Sequence, residues 1–157
     1  MRKRIVTPGV GNAARPDQDW LDLEQLAQAE VTSEDSAYRL ESALVPGTEG
    51  GWRAAEPGKQ TLRLIFDQAL RLERIRLVFE DHDWERTQEF TLRWSPDGGK
   101  SWQEIVRQQW NFSPTGTVRE VEDYHVDLSG VTILQLDIEP NKSGGDARAS
   151  LEELRLA

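Results

Sequence analysis

The chain has 157 residues, with 19 Lys and Arg against 28 Asp and Glu, and no cysteine. The net charge of −9 disfavours a nucleic-acid partner, because binding a phosphate backbone relies on counterions released around basic groups. Without cysteine there is no disulfide framework, thiolate metal site or cysteine nucleophile, and this length suits one domain with a core that needs no covalent staple.

The N-terminus, "MRKRIVTPGVGNAARP", begins basic but lacks an apolar run of signal-peptide length, and no later run approaches the length of a bilayer span. The expectation is a soluble, cytoplasmic protein with no membrane partner. Residues 1–19, with Gly, Pro, Asn and Ala concentrated between Thr7 and Gln18, read as a flexible arm ahead of a single domain over 20–157. "WLDLEQLAQ" reads as a short helix entering a strand at Ala29 to Ser33, and "YRLESAL" as a helical turn.

From Gln60 onward the pattern has period two. Leu62, Leu64 and Phe66 share a face in "TLRLIF"; Ile75, Leu77 and Phe79 do so in "RIRLVFE", and Phe90, Leu92 and Trp94 in "EFTLRW". Further strands are predicted at Ser101 to Gln109, Arg119 to Leu128, Thr132 to Glu139 and Ser150 to Leu156, with breaks in parity near Glu104 and Glu122 that read as bulges. Between Trp94 and Trp102 lies "SPDGGK", where Pro supplies a fixed φ, Asp a side-chain acceptor and Gly positive φ: a hairpin turn.

The order of features resembles the coagulation factor V and VIII type C, or discoidin, domains and the related galactose-binding-like carbohydrate-binding modules. Gly51-Trp52 sits in a long early loop, "LIFDQALRLERIRLVF" follows, "EFTLRWSPDGGKSWQEIV" looks like that family's "yxvxxSxDGxxWxxv" segment, and "ASLEELRLA" closes the chain. The resemblance covers Ala29 to Ala157 and implies an all-β jelly-roll sandwich of about eight antiparallel strands. The absent cysteines depart from the animal members. "SPDGGKSW" also fits the Asp-box of sialidase-like propellers, with Ser95, Asp97, Gly99 and Trp102 in its four places. A propeller needs several copies in a much longer chain, so the motif here reads as architecture: Asp97 accepts from turn amides while Trp94 and Trp102 close one end of the sandwich.

If successive strands are antiparallel, alternate connections emerge at the same end. The short ones, Asp67 to Leu72, Pro96 to Lys100 and Ser129 to Val131, fall at one end. The long ones, Pro46 to Lys59, Asp81 to Thr87, Trp110 to Val118 and Pro140 to Arg148, fall at the other, where binding residues usually gather. Their contents suit a sugar, which needs an aromatic plate for the C–H face of its ring and planar polar groups for its hydroxyls. The candidate ligand-binding residues are Trp52, Arg53, His82, Trp84, Arg86, Trp110, Asn111 and Asn141, with Asp83 and Asp146 in the same loops. The competing arrangement has Trp52, Trp110 and Phe112 plugging the open end of the core, and Arg86 paired with a neighbouring acid.

Catalysis has less support in the residues. Of two histidines, His125 is predicted to face solvent, and His82 in "EDHDWE" lacks any recognised metal-ligand spacing. The discoidin resemblance implies a structural calcium held by loop oxygens, with no ligands identifiable. The expectation is a non-catalytic domain binding carbohydrate or another polar ligand through its long loops; the alternative is a protein-interaction or scaffold module using those loops for a partner chain.

Overall fold

The computed structural model describes residues 20–157; the arm expected over 1–19 lies outside the described residues. Two short helices, α1 (Leu23–Leu26) and α2 (Glu41–Leu44), flank strand β1 (Ala27–Val31). The chain continues through β2 (Trp52–Pro57), β3 (Gln60–Glu80), β4 (Arg86–Ser95), β5 (Gln103–Phe112), β6 (Arg119–Glu139), β7 (Arg148–Leu151) and β8 (Glu153–Leu156). Every ladder between these strands is antiparallel. Among the described residues no helix is long and apolar enough to cross a membrane.

The alternation that predicted the strands also buries them: Leu62, Leu64, Phe90, Leu92, Ile75 and Leu77 all lie in one core. The joins differ from expectation. "TLRLIF" and "RIRLVFE" are not two strands around a turn but parts of β3, which runs throughout against β6, itself the union of the strands expected at 119–128 and 132–139. The ladder slips between Ile65 and Arg74, and such bulges bend a strand. One half of the bent pair, around Leu62 and Leu136, lies between β1 and the β4–β5 hairpin; the other half, around Leu77 and Glu122, is joined by β8. The halves face each other as the layers of a β-sandwich. Phe79 of one meets Phe90 of the other with ring centroids 5.2 Å apart.

Of the two predicted bulges, one is present. Leu92 pairs with Val106 but Arg93 with Glu104, which leaves Ile105 as the extra residue. At Glu122 the register is unbroken, so the parity break has another cause: Glu120 points into the sandwich, fully buried, while Val121 faces out at 43% exposure. The final strand divides at Glu152, β7 pairing with β2 and β8 with β3. Gly51 makes the first of these pairings possible. Its φ is 64°, and a Cβ there would stand 2.6 Å from the Leu151 carbonyl oxygen, so the chain passes closely enough to seat Trp52 only without a side chain.

The two ends are as mapped, but at the short end only Pro96 to Lys100 is a turn: the connections expected at Asp67 to Leu72 and Ser129 to Val131 are the bend of the continuous β3 and β6. At the short end Gly98 N–H donates to Thr132 Oγ1 (2.9 Å), whose hydroxyl donates to the Ser95 carbonyl (2.8 Å), so the hairpin rests on the bend of β6. Long connections are cross-linked at the opposite end, Asp81 N–H to Val118 O and Lys142 N–H to Thr87 O, both 2.8 Å. In the hairpin, Asp97 accepts from Ser101 N–H (2.8 Å), Ser101 Oγ (2.6 Å) and Ser95 Oγ (2.8 Å), and Trp94 is buried beneath. These bonds, those from Ser101 foremost, hold the Asp97 carboxyl down at about 2, from an ordinary 3.8.

Asp97→Ala is expected to lower the melting temperature while leaving any ligand affinity at the far end unchanged. The sign of its pH dependence follows from the depressed carboxyl: the stabilisation is complete above pH 3.8 and is lost as pH falls through about 2. Melting curves of both proteins between pH 2 and 7 should therefore converge at the acid end; a gap that is constant with pH contradicts this role for the charge.

Candidate functional site

At the long-loop end, a cleft of about 170 Å³ is lined by Arg53, Asp81, Asp83, Trp84, Asp146, Arg148 and Ser150. Arg53 stands on β2 directly opposite Ser150 of β7, and Arg148 lies two residues before Ser150, so the three share one face of the β2–β7 ribbon. Two loops supply the rest: Asp81, Asp83 and Trp84 from the β3–β4 connection, and Asp146 from the β6–β7 connection. Trp84 is 67% exposed, in a loop where the polar runs "EDHD" and "ERT" offer no apolar neighbour to draw it inward. Arg53 stacks on Tyr38, its guanidinium carbon 4.7 Å from the ring centroid, which steadies the long side chain at the rim.

Asp81 sets the direction of the tryptophan. Its Oδ1 accepts from the backbone N–H groups of Asp83 (2.9 Å) and Trp84 (3.3 Å), an Asx-type turn that folds the loop back over the carboxylate. Its Oδ2 accepts from Arg86 Nε at 2.7 Å. Burial pushes this carboxyl up, but the bonds from Arg86 and Asp83 and the charge of Arg86 outweigh it and hold it below its ordinary value. Arg86 also donates through Nη1 to the Pro140 carbonyl (2.7 Å) and to Gln88 Oε1 (3.2 Å), and its guanidinium lies over Phe112, 4.5 Å from the centroid. One buried cation thus ties both loops of the cleft to the sandwich.

The β6–β7 loop has a second anchor outside the sheet. Lys142 Nζ reaches Glu89 at 3.1 Å and Glu139 at 3.6 Å. Glu89 also takes hydrogen bonds from Gln109 and Arg107, and together with Lys142 they hold its carboxyl down at about 2. Behind Arg86, Gln88 Nε2 donates to the buried Glu120 at 3.3 Å. Loss of water around Glu120, reinforced by Glu122, raises its carboxyl to about 8. Glu120 Oε2 and the Trp110 indole N–H, both buried, have no hydrogen-bond partner among the described residues.

The structure divides the sequence-predicted site. Arg53 and Trp84 meet in the cleft. Trp52 does not: it begins β2, is 1% exposed, and donates its indole N–H to the Ser33 carbonyl at 3.1 Å, so it is core. Arg86 is likewise buried and fully engaged, a support rather than a ligand contact. Trp110, half-buried against Phe112, shares a shallow recess on β5 with Asn111, which accepts from Thr87 Oγ1 at 2.7 Å. Asn141 caps its own turn by accepting from Ser143 N–H at 3.1 Å and lines a separate recess beside Lys59 and Gly145. His82 is exposed, 3.6 Å from Glu80, and does not line the cleft. Arg148 and Ser150 were not among the candidates: Ser150 was read as the start of the last strand and Arg148 as the end of the loop before it, and extending that strand two residues upstream puts both on one face, alternating with Ala149 and Leu151.

For the calcium implied by the fold, the described residues hold no group of three or more His, Cys, Asp and Glu that could bind a metal ion.

No protein-family model matches the chain, and no curated protein matches it in sequence. Solved structures do match in fold. CBM32-3 from a family 31 glycoside hydrolase of Clostridium perfringens superposes with a TM-score of 0.64 at 18% identity, over 89% of this chain and 95% of its own. The family 32 carbohydrate-binding module of C. perfringens NanJ, in complex with galactose, gives 0.60 at 15% identity, over 87% and 96%. The CBM32 of AlyQ, in complex with 4,5-unsaturated mannuronic acid, gives 0.62 at 16% identity, over 88% and 97%. The fold is therefore the discoidin-like, galactose-binding-like β-sandwich of the carbohydrate-binding modules.

Two outcomes are expected from the buried polar residues. Arg86→Met should cost about 3 kcal/mol in chemical denaturation, because it strands the half-buried Asp81 carboxylate and leaves the Gln88 and Pro140 oxygens without their donor. Glu120→Gln should stabilise increasingly as pH rises: the carboxyl is neutral in folded and unfolded chains below pH 4.5, and between there and about 8 only the unfolded chain ionises freely. A difference in melting temperature between Glu120→Gln and the parent that does not grow over that interval contradicts the buried, neutral Glu120.

Proposed function

We propose that the domain binds carbohydrate, without catalysis, in the cleft between the β2–β7 ribbon and the β3–β4 and β6–β7 loops. The observation that carries this reading is Trp84, a 67% exposed indole held by a buried support and surrounded by guanidinium, carboxylate and hydroxyl groups. An exposed indole costs solubility and returns nothing to the core, whereas a sugar gains from it a flat apolar face for its axial hydrogens. Arg53, Asp83, Asp146, Arg148 and Ser150 offer the planar and hydroxyl partners that fix ring orientation. The modules that share the fold support the same reading, as two of those compared carry bound sugars.

Trp84→Ala tests it directly. Because so much of the side chain is in solvent, stability is expected to stay within about 0.5 kcal/mol of the parent. Affinity for whichever glycan an array identifies should fall by about 1 kcal/mol or more as the stacking surface is lost. A glycan bound equally well by Trp84→Ala contradicts this cleft as the site.

A further inference from the structure

Arg53 and Arg148 are cations that share one cleft. The fold neutralises most of its guanidiniums: Arg71, Arg74, Arg76, Arg86, Arg93, Arg107 and Arg155 each have a carboxylate partner within 4.0 Å. In a protein with 28 acidic residues, such pairing is what the composition favours. Among the described residues neither Arg53 nor Arg148 forms an ion pair, although Asp81, Asp83 and Asp146 line the same cleft. Asp81 is already committed to Arg86 and to the turn that carries Trp84.

The ribbon adds a second observation. Arg53 faces Ser150, and Arg148 is the next residue on that face of β7, so both arginines rise from one face of the ribbon into the cleft, across a ladder that is irregular between Arg53 and Pro57. Both are exposed and carry positive charge into the same cleft, so an anion taken there is attracted by each. A guanidinium presents its N–H donors in a planar fork matched to a carboxylate, and here two forks stand beside an exposed indole.

Building on the carbohydrate reading of this cleft, we propose that its ligand is an acidic saccharide, with Arg53 and Arg148 receiving the carboxylate of a hexuronate residue whose ring lies on Trp84. Asp83 and Asp146, exposed on the loops, accept hydrogen bonds from the hydroxyls of the same or a neighbouring ring. The net charge of −9 repels a long polyanion, so the cleft suits a chain end or a short acidic segment. Two structures of this fold are described in matching terms, a pectin-binding carbohydrate-binding module and the AlyQ module with 4,5-unsaturated mannuronic acid.

The test is a calorimetric titration of the full chain with trigalacturonate and trimannuronate, beside their methyl esters, which keep rings and hydroxyls but lose the charge. At least one acid should bind about tenfold more tightly than its ester, the factor that a charge-assisted hydrogen bond supplies. Arg53→Gln and Arg148→Gln, both exposed and expected to keep the parent melting temperature, should shrink that ratio. Trp84→Ala should weaken acid and ester alike. Raising salt should weaken the acid only. Esters or neutral sugars such as galactose that bind as tightly as the acids overturn the acidic preference and leave the carbohydrate reading intact, as does an acid-to-ester ratio untouched by either arginine variant. If neither acids, esters nor neutral sugars bind, the carbohydrate reading fails and the acidic preference falls with it.

Discussion

The long-loop end depends on a single buried cation. A guanidinium removed from water is costly, and Arg86 offsets that cost only because its surroundings meet it with the Asp81 carboxylate, the Pro140 carbonyl, the Gln88 amide oxygen and the face of Phe112. These partners come from four separate places: the loop after β3, the loop after β6, β4 itself and the end of β5. A lysine would not serve, since one ammonium cannot present fixed donors in several directions while stacking on a ring. The arrangement makes two loops behave as extensions of the sandwich, and rigid support is what a shallow binding surface needs if ordering its own side chains is not to consume the affinity.

The polar line does not stop at Arg86. Gln88 passes from it to Glu120, so the interior near the long loops contains a cation, an amide and a carboxyl beside a core built mainly of Leu, Ile, Phe, Trp and Ala. A carboxylate at Glu120 would lie among apolar neighbours with Glu122 close by, which is why its proton is held to about pH 8. Such a chain is all-or-none: removing one member leaves the others buried and unpartnered, and repair requires several simultaneous changes. The apolar half of the sandwich has no comparable constraint. Leu, Ile and Val there can exchange for one another with modest losses.

This polar interior also explains what the sequence hid. Period-two alternation marked where strands lie, since each of them buries one face in water-free surroundings. It marked the hairpin at Asp97, because Pro, Asp and Gly carry local geometry in their own covalent structure. It could not tell a turn at Asp67 to Leu72 from a bulged continuation of β3, because both place the same polar residues between the same apolar runs; only the ladder to β6 separates them. Glu120 mimicked a bulge for a related reason: an acid at an inward position looks like a change of parity unless its partner, distant in sequence, is known. Arg86 and Trp84 were grouped as ligand contacts by proximity in one loop, yet β4 begins at Arg86, and entry into the strand turns that side chain inward while Trp84 stays out. Trp52 followed the same logic at the start of β2.

The distribution of charge gives the cleft its character. Across the outer face of the larger layer, acids and bases cancel: Glu89 is shared by Arg107 and Lys142, and Asp137 receives Arg93, Gln135 and Thr61. Such a face is saturated, its donors already facing acceptors, and it offers a polar ligand little beyond what water provides. Around the cleft the pairing is incomplete. The turn consumes Asp81, and the ribbon presents Arg53 and Arg148 with their donors open. Recognition of a polar molecule requires donors that are rigid and unspent together, and rigid side chains are usually rigid because their hydrogen bonds are spent. Here the two requirements fall to different residues: buried Arg86 and half-buried Asp81, their hydrogen bonds spent on each other and on the loops, supply the rigidity, and the ribbon arginines, steadied by Tyr38 and by their strands, keep the free donors.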